Sequence, residues 1–291
     1  NAVDPIVLRD ITCGHDTDCI NRAHSGCKPQ QDLRARDHMS EKIETRLYVT
    51  ESLAAGGAVS LDRDRTHYLR SVLRLAAGAV VALFNGRDGE WTARIANISK
   101  NTTELGIEQQ TRKQHSEPDI WLVFAPIKRA RIDFTAQKAT ELGASLLWPV
   151  MTQFTMVDRV NVDRLRANAV EAAEQTARLT VPEIREPTKL DALLDAWPEG
   201  RRLIICDETG AGKPIAETFS DPDFSNTASG LLIGPEGGFA ERELDRIRNL
   251  PFVTPVSLGP RLLRADTAAL AALTCWQALA GDWTSGRPNG L

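Results

Sequence analysis

No apolar run in the chain is long enough to cross a bilayer, and the N-terminal residues carry no apolar core of the kind a signal peptide needs. A soluble, cytoplasmic protein with no membrane partner is therefore the expectation. Neither sign of charge is in large excess. The 35 basic and 39 acidic side chains leave a net charge of -4 at pH 7, which argues against binding nucleic acid by overall charge but leaves room for a local basic face. Histidine is scarce: beyond residue 38 only His67 and His115 remain, too few for a histidine-based metal hydrolase. Cysteine is scarce and uneven. Cys13, Cys19 and Cys27 fall in the first 38 residues, while Cys206 and Cys275 stand singly in apolar surroundings. The head lacks the paired Cys-x-x-Cys turns that give tetrahedral zinc its geometry, so no metal is expected. There is no internal repeat.

What is present reads as globular. Hydrophobic residues make up 42% and charged residues 25% of 291, enough for one large core or two modest ones. Residues 1–38 show no apolar periodicity and end in Asp37-His38-Met39, where Met followed by Ser-Glu-Lys resembles a natural start. They are expected to be a poorly ordered, dispensable leader or added extension. Residues 39–112 carry a short strand at Arg46–Val49, helical spacing of Tyr68, Leu69, Val72, Leu73 and Leu75 over Asp64–Leu75, and strands at Ala79–Phe84, Glu90–Ile98 and Thr103–Ile107. The glycine-rich turn Asn85-Gly86-Arg87-Asp88-Gly89 joins the first two of these last three. Strands packed so closely suggest a small barrel. The polar stretch Gln110–Pro118 reads as a linker, with 113–118 between the domains proper.

From Asp119 to Leu291 strands alternate with helices. Strands are expected at Ile120–Ala125, Leu146–Val150, Arg202–Cys206, Gly230–Ile233 and Phe252–Leu258. Helices are expected at Arg129–Leu142 (stopped by Gly143), at Val162–Arg178, around Glu241, Glu243 and Leu244, and at Asp266–Leu279. The fold class is thus α/β, with a parallel sheet covered on both faces.

Two loops carry the chemistry. Leu232-Ile233-Gly234-Pro235-Glu236-Gly237-Gly238-Phe239 follows a buried strand directly, and Leu258-Gly259-Pro260-Arg261-Leu262-Leu263-Arg264 follows the next. Ligands of open α/β sheets bind at the carboxyl ends of strands, and glycine lets the backbone approach them. The first loop is neither Gly-x-Gly-x-x-Gly nor a P-loop. Gly210-Ala211-Gly212-Lys213 resembles half a P-loop, but Pro214 stands where the metal-binding hydroxyl belongs.

These two segments, Gly-Pro-Glu-Gly-Gly-Phe at 234–239 and Leu-Gly-Pro-Arg-Leu-Leu-Arg-Ala-Asp-Thr-Ala at 258–268, resemble the signature of the RsmE family, 16S ribosomal RNA uridine-N3 methyltransferases of the SPOUT class. Lys138-Ala-Thr-Glu-Leu-Gly143, Glu171-Ala-Ala-Glu-Gln175 and His67-Tyr-Leu-Arg-Ser-Val-Leu-Arg74 match further, in order. The resemblance implies a PUA-like N-terminal β-barrel, a C-terminal α/β domain with a trefoil knot, and S-adenosylmethionine held by Leu232, Gly234, Pro235, Glu236, Gly237, Gly238, Leu258, Gly259 and Leu263. It implies a homodimer, with the apolar last helix (Leu270, Leu273, Trp276) as a candidate face, and 16S ribosomal RNA within an assembled small subunit as the substrate. Three positions depart from the family pattern: Asp266 for Glu, Ala240 for a Ser or Thr cap, and Thr152-Gln153-Phe154-Thr155 for a charged motif. RNA-binding candidates are His67, Arg70 and Arg74 at i, i+3 and i+7, the nearby Arg87, and Lys128, Arg129 and Arg131 at a helix start, where the dipole makes cations unfavourable. Arg264 is the catalytic candidate, as stabiliser of negative charge on uracil; bracing by a pair with Asp266 or Glu236 is the alternative. A relative acting on transfer RNA or another ribosomal position, and a non-catalytic RNA-binding module, remain open readings of the sequence.

Overall fold

The structure is a computed structural model that describes residues 42–207, 209–224 and 227–284. The expectation for residues 1–38 lies outside the described residues. The first half of the remainder is a five-stranded sheet built from β1 (Ile43–Tyr48), β2 (Ala58–Leu61), β3 (Val80–Phe84), β4 (Glu90–Ile98) and β5 (Thr103–Arg112), in the order β1-β3-β4-β5-β2. Its core is made by the side chains that alternate inward, among them Leu47, Val59, Leu61, Val81, Leu83, Ala93, Ile95, Leu105 and Ile107. All five residues of β3 are buried. Val81 and Leu83 face this core, whereas Phe84 packs with Ala173 and Leu179 of the second half.

The second half is a parallel sheet. In chain order its elements are β6 (Ile120–Phe124), α2 (Arg129–Glu141), β7 (Leu146–Met151), α3 (Val162–Gln175), β8 (Glu183–Ile184), β9 (Thr188–Lys189), α4 (Leu190–Asp195), β10 (Arg202–Cys206), β11 (Lys213–Pro214), α5 (Ile215–Phe219), β12 (Ser229–Ile233), α6 (Glu241–Arg248), β13 (Val253–Ser257) and α7 (Ala265–Leu279); α1 (Arg63–His67) belongs to the barrel. The sheet order is β11-β13-β10-β12-β6-β7-β8, every pairing parallel. Strand period decides which face each residue serves. In β6, Ile120, Leu122 and Phe124 join the core under α2, α3, α5 and α7, while Trp121 and Val123 join that under α4 and α6.

β13 lies between β10 and β11, which are consecutive in the chain, so its carboxyl end enters the space framed by the 207–212 connection. This strand order belongs to a trefoil knot, which periodicity alone does not predict. The connection crosses β13 closely: a Cβ on Gly212 would fall 2.6 Å from the Val256 backbone.

Arginines lock the two halves together. The Arg46 guanidinium donates to the carbonyls of Ala173 (2.8 Å), Glu174 (3.1 Å) and Arg178 (2.9 Å) and to Glu90 (2.7 Å). Arg112 donates to Ala177 O at 2.6 Å. These are the carbonyls left without helical partners at the end of α3, where the dipole favours cations.

Several expectations need correction. The single helix over Asp64–Leu75 is α1 followed by a π-helical turn, Tyr68–Val72, in which Leu73 N donates to Tyr68 O at 3.0 Å. The turn closes through Arg74 in the left-handed region, φ 58°, so Arg74 does not share a helical face with His67 and Arg70. The strand expected to stop at Ile107 runs to Arg112, because polar residues serve where a strand pairs on an exposed surface; the linker therefore starts at 113. α3 ends at Gln175, three residues early, with Ala177 at φ 59°. Leu273 and Trp276, offered as a dimer face, are 0% and 1% exposed in the core beneath α7.

Candidate cofactor and RNA sites

Connections leaving the carboxyl ends of β7, β10, β12 and β13 gather at one edge of the parallel sheet, where ligands of such sheets bind. A cavity of about 360 Å³ opens there. The 257–263 segment lines one side of it, and Cys206, Asp207, Thr209 and Gly210 line the other, with Ala268 of α7. Of the nine residues expected to hold the cofactor, Leu258, Gly259 and Leu263 line this cavity. Leu232, Gly234, Pro235, Glu236, Gly237 and Gly238 do not; the Leu232 side chain is buried in the core under α4 and α6.

The first glycine loop has intramolecular reasons for its glycines. A Cβ at Gly234 would lie 2.8 Å from the Phe239 ring, and one at Gly237 would lie 3.2 Å from Phe154 Cβ. Gly238 has φ 72° and closes a turn by donating to Pro235 O at 3.0 Å. The expectation that a Cβ at these positions would chiefly fill ligand space is therefore corrected for Gly234 and Gly237. The loop is also anchored. Buried Glu243 accepts from Ala240 N at 2.9 Å and from Gln153 N at 2.8 Å. It supplies the half of a capping box that Ala240 cannot, and it fastens the divergent 152–155 loop beside the glycines.

Arg131 joins the two glycine loops. Its guanidinium is 3.8 Å from Glu236 of the first and 3.8 Å from Asp266 at the start of α7. Those carboxylates offset the unfavourable position of a cation in the first turn of α2. The bracing considered for Arg264 thus falls to Arg131, whose listing as an RNA contact is corrected accordingly. Arg264 itself is the N-cap of α7, exposed, with no ion pair among the described residues.

The cavity suits S-adenosylmethionine. Its floor is apolar (Cys206, Leu258, Leu263, Ala268), and the backbone N–H groups of Arg261, Leu262 and Leu263 donate to no partner among the described residues. An aromatic base with a polar ribose and amino-acid tail needs both features. Gly259, at φ 99°, lets the chain turn between them. The opposing wall, Cys206 to Gly210, was missed from the sequence. The available signal was Gly210-Ala211-Gly212 after an apolar strand, set aside as a failed P-loop.

A second concavity, about 520 Å³, lies on the barrel and is lined by Arg63, Asp64, His67, Arg70, Ser71 and Lys100. It brings His67 and Arg70 together and adds Arg63 and Lys100, which spacing did not single out. Arg74 and Arg87 lie outside its lining; Arg87 donates to Thr50 O at 3.1 Å. Lys128 is exposed at the N-cap of α2, and the side chain of Arg129 is outside the described residues.

Residues 114–277 match the family described as RNA methyltransferase domain, and residues 61–108 match RNA methyltransferase PUA domain. Ribosomal RNA small subunit methyltransferase E of Rickettsia conorii is 31% identical over 229 residues, 78% of this chain and 93% of that protein. The chain belongs to the ribosomal RNA small subunit methyltransferase E family. A crystal structure of that enzyme from Neisseria gonorrhoeae bound to S-adenosylmethionine superposes with a TM-score of 0.73 at 30% identity, covering 82% of this chain and 99% of the other. A methyltransferase from Legionella pneumophila, solved with the same cofactor, gives 0.73 at 29% identity, covering 83% and 99%. Membership in this methyltransferase family bears out the knotted SPOUT α/β fold with a PUA-like barrel. No helix among the described residues is long and apolar enough to cross a membrane.

Proposed function

We propose that the chain methylates N3 of a specific uridine in 16S ribosomal RNA within the small subunit, using S-adenosylmethionine, as a cytoplasmic homodimer. In this reading residues 39–112 hold RNA, 113–118 connect, and 119–291 carry the cofactor and the reaction. The observation that carries it is the cavity between the 206–210 and 257–263 segments, at the carboxyl ends of parallel strands, with unused backbone donors along one wall. Leu258, Gly259 and Leu263 hold the cofactor by backbone, while Gly234, Pro235, Glu236, Gly237 and Gly238 shape the adjoining edge through the Arg131 brace. His67 and Arg70, with Arg63 and Lys100, neutralise RNA phosphates at a fixed distance from the cavity, because Arg46 and Arg112 make the barrel and the α/β half one body. The exposed apolar side chains of Phe154, Met156 and Leu262, on connections at the carboxyl edge of the sheet, suit contact with a second copy.

S-adenosylmethionine supplies an electrophilic methyl group on a positively charged sulfur. The chain must do the rest: orient uracil N3 in line with that carbon, exclude water, and stabilise the negative charge that spreads onto the flanking oxygens as the N3 proton leaves. Arg264, exposed at the cavity's rim and unpaired among the described residues, is placed for the last task. The test is mass spectrometry of 16S RNA, free and in assembled subunits, after incubation with the protein and labelled cofactor, with transfer RNA as control. Label in one uridine-containing fragment of 16S RNA is expected; label only in transfer RNA, or in neither, overturns the assignment.

A further inference from the structure

The wall of the cavity that faces the 257–263 segment is a short turn, and one buried carboxylate shapes it. Asp207 follows β10 directly, with its side chain 0% exposed. Its backbone N–H donates to Val256 O at 2.9 Å, fixing the turn to β13. One carboxylate oxygen accepts from Thr209 N at 2.9 Å and from Thr209 Oγ1 at 2.6 Å. The other accepts from Arg248 Nε at 3.0 Å and also from Arg248 Nη2. Arg248 Nη2 further donates to Thr209 Oγ1 at 2.7 Å. Arg248 is the last residue of α6, the helix that follows the first glycine loop.

We infer that Arg248 and Asp207 are positioning residues for the cofactor: their ion pair sets the wall of the cavity and couples it to the glycine loop through α6. This rests on the reading of the cavity as the S-adenosylmethionine site. A fully buried carboxylate is unstable without compensation. Burial pushes the Asp207 carboxyl upward, but the bonds from Thr209 and Arg248 outweigh it and hold the group below the usual aspartate range. Among the described residues Arg248 is the charged group that faces it. The clamp is therefore present above the ordinary aspartate value and is lost only as pH falls through the lower folded value. Without the guanidinium, the charged carboxylate must turn outward to water, carrying Thr209 and Gly210 with it and opening the wall. Once protonated, it can remain buried and the wall can close again.

The test is calorimetric titration of the whole chain with S-adenosylmethionine at pH 7.5 and 5.5, alongside thermal melts. Wild type is expected to bind with similar Kd at both values. Arg248→Gln should raise Kd at pH 7.5 by roughly tenfold to a hundredfold, and much of that loss should be recovered at pH 5.5. Asp207→Asn combined with Arg248→Gln should bind more tightly at pH 7.5 than Arg248→Gln alone, since no buried charge is left without a partner. Wild-type Kd in Arg248→Gln overturns the clamp while leaving the cofactor reading intact. So does a loss that is equal at both pH values and not relieved in the double variant. Failure of the wild-type protein to bind overturns the cofactor reading and the clamp with it. Should Arg248→Gln not give a cooperative melt, Arg248→Lys decides: an intermediate Kd supports the clamp, and a wild-type Kd overturns it.

Discussion

Arg131 Nε stands 3.8 Å from Asp266 Oδ2, and the same guanidinium reaches Glu236, so a helix of the middle of the chain ties together two loops that follow neighbouring segments of the knot. The side chains of Arg131 and Glu236 are 37% and 40% exposed, and pairs of this kind contribute below about 1 kcal/mol each. Their effect should appear in binding more than in stability. Arg131→Gln is expected to leave the melting temperature within a few degrees of wild type and to weaken S-adenosylmethionine severalfold by calorimetry. A variant with normal cofactor affinity but a shallower salt dependence of RNA binding would return Arg131 to the RNA surface.

A backbone crossing makes the second prediction. Gly212 leaves no room for a Cβ against the Val256 backbone, whereas Gly106 in β5 has nothing within 4 Å and no positive φ. Gly212→Ala should therefore destabilise by about 1–3 kcal/mol through overpacking, and Gly106→Ala should be near neutral. Denaturant unfolding of both variants measures this directly. Equal effects would mean that the 207–212 connection can lift from β13 at little expense.

RNA binding should follow the concavity rather than sequence spacing. Arg70→Gln and Lys100→Gln are each expected to reduce the slope of log affinity against log salt by about one unit, the signature of one lost phosphate contact. Arg74→Gln, outside the concavity's lining, should leave the slope unchanged. A reduced slope for Arg74→Gln alone would put the RNA track elsewhere on the barrel.

That contrast shows where sequence reading stops. The class of fold was legible because β6, β12 and α7 state their periods plainly, and because Gly143, at φ 84°, ends α2 where a glycine cap belongs. Arg74 was misread because i, i+3 and i+7 lie on one face only in an unbroken α-helix, and no residue type announces a π turn. The second glycine loop was legible as a cavity wall; its partner, Asp207 to Gly210, was not. That wall exists only because β13 inserts between β10 and β11, a relationship of topology rather than of local pattern. The Arg131 brace was invisible for the same reason: Arg131, Glu236 and Asp266 meet only in the folded chain.

Glu174 gives a pH-dependent prediction. Burial raises its carboxyl above the ordinary value, against the bond from Tyr48 N and the charges of Arg65 and Arg46, while Glu171 adds to the rise. A carboxyl raised in the folded state contributes stability that is fully present below its unfolded value, about 4.3, and is lost as pH rises through the folded value. Wild type should therefore lose more stability than Glu174→Gln as pH climbs from 4 towards 7 in urea titrations. Parallel curves would show that the Tyr48 and arginine contacts cancel the burial.

The last prediction concerns Arg264. Uracil N3 is protonated and a poor nucleophile at neutral pH, so methyl transfer needs the negative charge on the flanking oxygens to be stabilised as the proton departs. A guanidinium suits this because it keeps its charge and offers a planar fork to delocalised oxygen anions. Bracing is the competing role, and the structure gives that role to Arg131: both carboxylates that Arg264 was expected to reach lie against Arg131 instead. Arg264→Lys is accordingly expected to melt like wild type and to bind S-adenosylmethionine and RNA with near-normal affinity. Its single-turnover methylation should be slower by roughly tenfold to a thousandfold, the range for loss of one donor to a developing oxyanion. Part of that rate should return at higher pH, where more of the uridine has already lost its N3 proton. A normal single-turnover rate at neutral pH removes Arg264 from the chemistry. A lowered melting point with weakened cofactor binding instead makes it a brace after all, acting through contacts other than Glu236 and Asp266.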